Sequence, residues 1–283
     1  MSIQEKKLKY LITGHTGFIG KSLLERLEGD IFTIGREWQY DLTIPEKIKL
    51  FRPDYIIHCA AEIKDSSKTF ESNILMTNWL LENTLNINYK AFVNIGSSSE
   101  YGSTNLPMSE KDLLKPRTMY EATKGASTLL CQGYANEYNK PIVTVRPFSV
   151  YGIHEPERRL IPTLFRNFKT NTISQISLGV HDFIYIDDFI DGVLSVLYSE
   201  EELIKGDIVH FGSGIQYSNL EVFNIIKSIF NSNLEYRKIN NIFNIYDSLN
   251  WVADITYAKS KYKFNPKYTL ETGLKEIYER KYK

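Results

Sequence analysis

Tyr120 and Lys124 stand four positions apart in the segment PRTMYEATKGAS, residues 116–127. On a helix that spacing sets a phenol and an ammonium on one face, about 6 Å apart. Such a phenol is a candidate proton carrier, because a neighbouring cation stabilises the phenolate and draws its pKa down from about 10. With 19 tyrosines and 34 basic residues in the chain, the pairing also arises by chance. The chemistry therefore needs partners. One is a hydroxyl to share a substrate oxygen, and three of them, Ser97, Ser98 and Ser99, come directly after the strand-like run AFVNIG. Ser97 lies 23 residues before Tyr120.

The other partner is a bound group for the lysine to hold. YLITGHTGFIGKSLL places Gly14, Gly17 and Gly20 between the first strand-like run and a helix with an apolar stripe of Phe18, Ile19, Leu23, Leu24 and Leu27. Gly14 allows a tight turn, Gly17 close approach of the backbone to a pyrophosphate, and Gly20 close helix packing. The helix start offers oriented N–H groups to phosphate. A lone glycine pattern is weak, but between strand and helix it predicts a dinucleotide site. The second strand, IFTIG, is followed by Arg36 where an NAD site usually has an acid. An arginine fork can hold a 2′-phosphate bidentately, so this reading favours NADP(H). Glu37, one place later, keeps NAD(H) open.

The elements around these residues alternate. Short β-branched runs (LKYLIT, IFTIG, YIIHCAA, AFVNIG, PIVTVRPF) are joined by helix-like segments. That order predicts an α/β fold, a doubly wound parallel sheet covered on both faces. Ligands then bind at the carboxyl ends of the strands, where the residues above fall. Lys+Arg and Asp+Glu both number 34, so the zero net charge gives no reason to expect nucleic acid or an anionic membrane as partner. The two cysteines, Cys59 and Cys131, lack metal-ligand spacing, and no metal site is expected. No signal-peptide pattern or membrane-length apolar run is present, which reads as a reduced, cytoplasmic protein.

With Ser97, Tyr120, Lys124 and TGHTGFIG in view, the chain resembles the extended short-chain dehydrogenase/reductase family, in its nucleotide-sugar epimerase/dehydratase/reductase branch. HCAA, RPFSVYG, LIP, HDFIYIDD and the C-terminal WVADITYAKSKYKFNPKYTLETGLKE occur in the family's order. The resemblance implies a Rossmann-type dinucleotide domain over 1–150, completed by about 183–206. It implies a smaller interleaved lobe over 151–182 and 207–283 that binds the nucleotide sugar. It makes Tyr120 the general acid/base, Ser97 the hydrogen-bonding partner of the reacting oxygen, and Lys124 the group that holds the nicotinamide ribose and lowers the tyrosine pKa. The turn residues Gly14, His15, Thr16, Gly17, Phe18, Ile19 and Gly20 would hold the pyrophosphate. Asp41 and Leu42 match an adenine-binding pair, and Cys59, Ala60 and Ala61 a loop beside the cofactor. Asn73 matches a cofactor-side asparagine, with a helix cap as its plainer alternative, and Pro147 and Phe148 match the nicotinamide end.

Members of the family share the hydride step and differ in the chemistry after it. The 4,6-dehydratases carry an Asp-Glu pair where this chain has Ser98 and Ser99, which disfavours dehydration. Glu100 is one place out of register and is expected to face elsewhere. Arg36 and the short link from second to third strand lean toward an NADPH-dependent reductase of a nucleotide-linked 4-keto-6-deoxysugar, serving polysaccharide synthesis. A C4 epimerase with bound NAD is the alternative, and a non-catalytic dinucleotide sensor or scaffold is a third. Ser99 stands where GDP-fucose synthase has a cysteine, so a plain 4-keto reduction is the economical expectation. In the substrate lobe, Ser149 replaces a common asparagine and His181 a common phosphate-binding arginine. Arg158 or Arg159 is expected to supply the cation, and Leu160, Ile161 and Pro162 to pack near the nucleotide base. Leu129, Leu130 and Tyr134 share the Tyr120 helix at helical spacing; the resemblance implies a homodimer paired through that helix, with a core stripe as the plainer alternative.

Overall fold

The computed structural model describes residues 7–102, 107–239 and 250–283. Among them are the strands β1 (Lys9–Thr13), β2 (Asp30–Ile34), β3 (Tyr55–His58), β4 (Ala91–Ile95), β5 (Ile142–Pro147), β6 (Ser149–Tyr151), β7 (Ser174–Ile176), β8 (Val180–Tyr185), β9 (Asp207–Phe211), β10 (Gln216–Ser218) and β11 (Tyr236–Lys238). The helices are α1 (Phe18–Leu24), α2 (Ile44–Phe51), α3 (Met76–Thr84), α4 (Met119–Glu137), α5 (Leu160–Lys169), α6 (Ile186–Leu197), α7 (Asn219–Ile229), α8 (Thr256–Tyr262) and α9 (Leu270–Lys281). None is long and apolar enough to cross a membrane, and no group of three or more metal-ligating side chains occurs among the described residues.

The strands β2-β1-β3-β4-β5-β9 form one six-stranded sheet in that order. Every residue of β3 and β4 is buried, as in a parallel sheet with both faces covered. The register is what matters for function. Thr13 pairs with Ile34 and His58, and His58 with Asn94. The strands β1, β2 and β3 therefore end level, and Gly14, Gly35 and Cys59 come next on one edge. The strand order reverses between β1 and β3, the place where open α/β sheets form a ligand crevice.

The chain divides into two compact units. The first comprises residues 1–100, 116–146 and 193–209. Its core packs Leu11, Ile56 and Phe92 of the sheet against Ile48 of α2, Leu80 of α3 and Cys131 of α4. Each such fully buried side chain contributes about 1.5–3 kcal/mol. The expected helix after β3 begins differently, with a π-helical turn over Phe70–Leu75 before α3. Such turns often mark functional positions.

The second unit comprises residues 101–115, 147–192 and 210–283. Its sheet runs β10-β8-β6, and a two-stranded β11-β7 pair accompanies it. Buried Asp182 accepts from the Ser213 N–H and hydroxyl and from the N–H groups of Gly214 and Ala253, at 2.6–3.0 Å. One carboxylate thus fastens the strand to two loops. Residues 101–115 fall in this unit and not in the 1–150 domain expected from sequence. Met108 exchanges backbone hydrogen bonds with Val252 and Asp254, both at 2.8 Å, and the Tyr101 hydroxyl meets His210 Nε2 at 2.6 Å.

Candidate active site

In the first unit, the turn after β1 is set by backbone contact. Gly14 has φ of 70°, and a Cβ there would lie 2.6 Å from the Ala60 nitrogen and 2.8 Å from the Cys59 carbonyl carbon. A Cβ at Gly20 would overlap the Gly14 carbonyl oxygen. Only glycine lets the turn lie this close both to the loop after β3 and to the next helix. Thr13 Oγ1 adds a polar tie, accepting the Ala60 N–H at 3.2 Å and meeting His58 Nδ1 at 2.6 Å. His58 Nε2 continues to Thr77, and Thr77 to Ser127 on α4. Burial holds the His58 pKa down at about 3, so this chain of bonds is neutral near pH 7.

Gly17 is the N-cap of α1 and provides no side-chain cap, while Thr16 and Gly17 are exposed. His15 Nδ1 is buried in the same turn and has no hydrogen-bond partner among the described residues. A glycine-lined backbone, uncapped N–H groups and an orphaned polar nitrogen fit the pyrophosphate of a dinucleotide. Phe18 and Ile19 form the first turn of α1 behind it.

At the end of β2, Arg36 is exposed, whereas Glu37 folds back on the strand. Its Oε1 accepts the Gly35 N–H at 2.7 Å, and its Oε2 lies 2.7 Å from where a Gly35 Cβ would be. The carboxylate therefore occupies the strand end. Asp41 accepts from the Thr43 N–H and hydroxyl and from Lys47, at 2.5–3.0 Å, and these partners pull its pKa down to about 2. It serves the entry to α2, and Leu42 beside it is 92% exposed.

Asn73 lies in the π-helical turn and is buried. Its Oδ1 accepts the Glu62 N–H at 2.7 Å, and its Nδ2 donates to the Glu62 carbonyl and to Thr123 at 3.1 and 3.0 Å. It is a tether between α4 and the loop that carries Cys59, Ala60 and Ala61, not a helix cap.

The helix α4 starts at a reciprocal cap. Thr118 Oγ1 accepts the Glu121 N–H at 3.1 Å, and Glu121 Oε2 accepts the N–H groups of Thr118 and Arg117. A cap of this kind is worth about 1 kcal/mol and places Tyr120 in a defined first turn. One turn on, Lys124 is buried, and its Nζ donates to the Ile95 carbonyl at the end of β4. Burial lowers the Lys124 pKa, and the nearby Glu100 carboxylate opposes that shift. Two residues beyond Ile95, Ser97 Oγ lies 2.7 Å from Ser99 Oγ and accepts the Ser99 N–H at 3.1 Å. Ser98 and Ser99 are buried. The Ser99 hydroxyl, expected to face substrate, is thus engaged with the Ser97 hydroxyl. Glu100 is buried in an ion pair with Arg146, 2.7 Å away. Its position in the chain announces no such role, because Arg146 is remote in sequence. The Thr118–Glu121 cap, by contrast, has a readable spacing.

The remaining expected residues belong to the second unit. Phe148 is buried, and its N–H donates to the Phe211 carbonyl, with Pro147 partly buried before it. Ser149 opens β6 opposite Phe183, and His181 packs edge-on to Phe183 at 5.5 Å. Arg159 donates to the Val150 carbonyl at 2.8 Å and pairs with Glu155 at 3.3 Å. Arg158 is exposed and has no ion-pair partner among the described residues, so of the two it is the available cation. Leu160 is half-buried, while Ile161 and Pro162 are buried in the unit's core.

The fold recurs in known proteins. Residues 10–212 match the NAD dependent epimerase/dehydratase family. The chain belongs to that family. It is 28% identical to a dTDP-D-glucose 4,6-dehydratase of Dictyostelium discoideum, over 76% of this chain but 60% of the relative's length. It is 28% identical to a GDP-6-deoxy-D-talose 4-dehydrogenase of Aggregatibacter actinomycetemcomitans, over 86% of each chain. Among solved structures, a Bacillus cereus UDP-glucuronic acid 4-epimerase in complex with UDP-glucuronic acid and NAD superposes with a TM-score of 0.85. That match covers 96% of this chain and 98% of the other at 24% identity, and it shows the shared Rossmann-type fold.

Glu155 carries a consequence for stability. Its carboxyl is buried beside Arg159, one oxygen has no partner among the described residues, and burial pushes its pKa up to about 7 despite the arginine. An unfolded glutamate loses its proton near pH 4.3. Between that pH and 7 the folded protein holds a proton that the unfolded chain has released, so stability falls as pH rises through this window. Glu155→Gln removes the titration. Thermal melting from pH 5 to 8 is expected to slope downward for the wild type and to be flatter for the variant; parallel slopes contradict this.

Proposed function

We propose that the chain carries out oxidation–reduction at C4 of a nucleotide-diphosphate sugar, with reduction of a 4-keto sugar as its net direction. The observation that carries this reading is the Lys124 ammonium seated on the Ile95 carbonyl, two residues before Ser97, on the helix whose capped first turn bears Tyr120. A bound nicotinamide dinucleotide supplies the hydride exchanged with the sugar carbon. The turn from Gly14 to Gly20 would hold its pyrophosphate, and Lys124 its ribose. Ser97 orients the reacting oxygen, its own oxygen held by the Ser99 N–H and in contact with the Ser99 hydroxyl. Tyr120 gives a proton to that oxygen, or takes one in the reverse direction. Burial disfavours the charge on Lys124, the nearby Glu100 carboxylate favours it, and the ammonium stabilises the phenolate.

Ser98 and Ser99 offer hydroxyls where elimination would need a carboxylic acid, which supports redox chemistry without dehydration. The similarity to a GDP-6-deoxy-D-talose 4-dehydrogenase along most of both chains supports C4 as the reacting carbon. Arg158 is suited to the diphosphate. The completeness of Ser97, Tyr120 and Lys124 speaks against a non-catalytic sensor. Exposed Met119 and Leu129 on α4 suit a helix pairing in a homodimer, and two free cysteines suit a reducing cytoplasm.

Glu37 favours a second reading. A carboxylate at the end of β2 accepts from ribose hydroxyls and repels a 2′-phosphate. It outweighs exposed Arg36, so NAD(H) is the cofactor we infer in place of NADP(H). A retained NAD would suit a C4 epimerase, which returns the hydride to the same sugar.

A panel of CDP-, dTDP-, GDP- and UDP-linked 4-keto-6-deoxysugars and hexoses, assayed with NADH and NADPH, separates these readings. Reduction oxidises one dinucleotide per product molecule, and the product gains two hydrogens. Epimerisation leaves product mass and dinucleotide unchanged but alters the C4 proton couplings. Tyr120→Phe is expected to lower either activity about 10²–10⁴-fold while sparing dinucleotide binding. A wild-type protein that converts no member of the panel overturns the proposal. Glu37→Ala is expected to weaken NAD(H) binding about tenfold, one lost charge-assisted hydrogen bond, and to leave NADP(H) no weaker. Equal loss for both dinucleotides removes Glu37 from the choice of cofactor.

A further inference from the structure

Glu100 lies outside the serine, tyrosine and lysine of the proposed reaction, yet it touches the elements that carry all three. Its two carboxylate oxygens have separate duties. Oε1 accepts the Ser97 N–H at 2.8 Å. Oε2 accepts from Arg146 Nε and from the Thr128 hydroxyl, both at 2.9 Å, and pairs with the Arg146 terminal nitrogen at 2.7 Å. The Thr128 hydroxyl also lies 3.2 Å from the Lys124 carbonyl oxygen. The Glu100 N–H in turn donates to the Ser97 carbonyl at 3.2 Å. The backbone N–H and C=O of Ser97 are thus both held by Glu100.

The fit leaves no slack. A Cβ on Gly96 would lie 2.7 Å from Glu100 Oε1 and 2.8 Å from Thr144 Cγ2, so the carboxylate sits flush beneath the bend between β4 and Ser97. Neither Glu100 nor Arg146 is exposed beyond 2%, so neither side chain serves solubility. A buried ion pair is weak evidence for stability, since well-packed apolar replacements often match it. A pair retained here, with one oxygen on the backbone of a reacting residue, has another use.

We infer that Glu100, neutralised by Arg146, is a positioning residue that fixes Ser97 in register with the helix turn bearing Lys124. The inference rests on Ser97 acting on the sugar oxygen as proposed above. The carboxylate joins three elements that diverge in sequence: the end of β4 through Ser97, β5 through Arg146, and α4 through Thr128. Loss of the clamp lets the Ser97 hydroxyl drift relative to the substrate oxygen. Misplacement of about 1 Å costs on the order of 10²-fold in rate while barely changing binding.

Three changes to the full chain test this. Glu100→Leu combined with Arg146→Met removes the clamp without leaving a buried charge. Glu100→Gln combined with Arg146→Gln keeps an acceptor for the Ser97 N–H. Glu100→Asp keeps the ion pair but withdraws the carboxylate from Ser97. Melting and dinucleotide binding report folding, and kcat and KM are measured on the sugar identified by the panel. The apolar pair is expected to bind dinucleotide normally, with KM within about twofold and kcat lowered about 10–100-fold. The glutamine pair recovers most of that loss. On a Ser97→Ala background the apolar pair costs nothing further. If the apolar pair does not fold, Glu100→Asp carries the test, with a fall in kcat at unchanged KM. Wild-type kcat in the folded apolar pair or in Glu100→Asp overturns the inference. A wild-type protein inactive on every sugar instead fells the functional reading, and this one with it.

Discussion

The Lys124 ammonium rests on the Ile95 carbonyl where water is excluded, and both residues are buried. Burying an ammonium is costly unless it is paired and hydrogen-bonded. Here the carbonyl at the end of β4 supplies the hydrogen bond, and the Glu100 carboxylate supplies opposing charge. That contact fixes the height of α4 against the sheet. It thereby fixes Tyr120, one helical turn earlier, and relates both to Ser97, two residues beyond Ile95. Thr118 and Glu121 complete the arrangement by holding the first turn in place. Helix, strand end and serine turn form one device, and its parts make sense only together.

The same logic governs the other end of the crevice. Gly14 lies against the backbone of Cys59 and Ala60, Thr13 bonds the Ala60 nitrogen, and Asn73 ties the Glu62 backbone to Thr123 on α4. The glycine turn after β1 and the helix α4 are therefore joined by short hydrogen-bonded links within one unit. These links carry no charged side chain, with His58 held uncharged by burial, whereas the charged side chains Lys124, Glu100, Arg146 and Glu121 are buried around α4 and the end of β4.

Features written in short spacings are legible in the sequence. Tyr120 and Lys124, the glycines at 14, 17 and 20, and the serines after β4 each depend on neighbours within a few residues, and the strand–helix alternation implies the sheet. Features that depend on distant partners are not. The register of Glu100 points it away from the site, because its partners Thr128 and Arg146 lie 28 and 46 residues on. Arg36 reads as favouring NADP(H), with Glu37 keeping NAD(H) open, and the backbone beyond β2 turns Glu37 onto the strand end and leaves Arg36 in solvent. Asn73 reads as a cap or a cofactor contact, and its bonds to Glu62 and Thr123 are tertiary. Arg158 and Arg159 are equivalent in sequence, and only the fold engages Arg159 with Glu155 and the Val150 carbonyl.

Hydride exchange at C4 between a nucleotide sugar and a dinucleotide held by this chain is the claim on which the rest depends. Nucleotide-linked hexoses and 6-deoxyhexoses carrying deuterium at C4, incubated with the protein and NAD, test it directly by mass spectrometry of the dinucleotide. The account predicts that deuterium leaves the sugar and appears in the dinucleotide, and that Tyr120→Phe stops the transfer. Deuterium that stays on C4 of every sugar tested, with the C4 configuration of each unchanged, contradicts it.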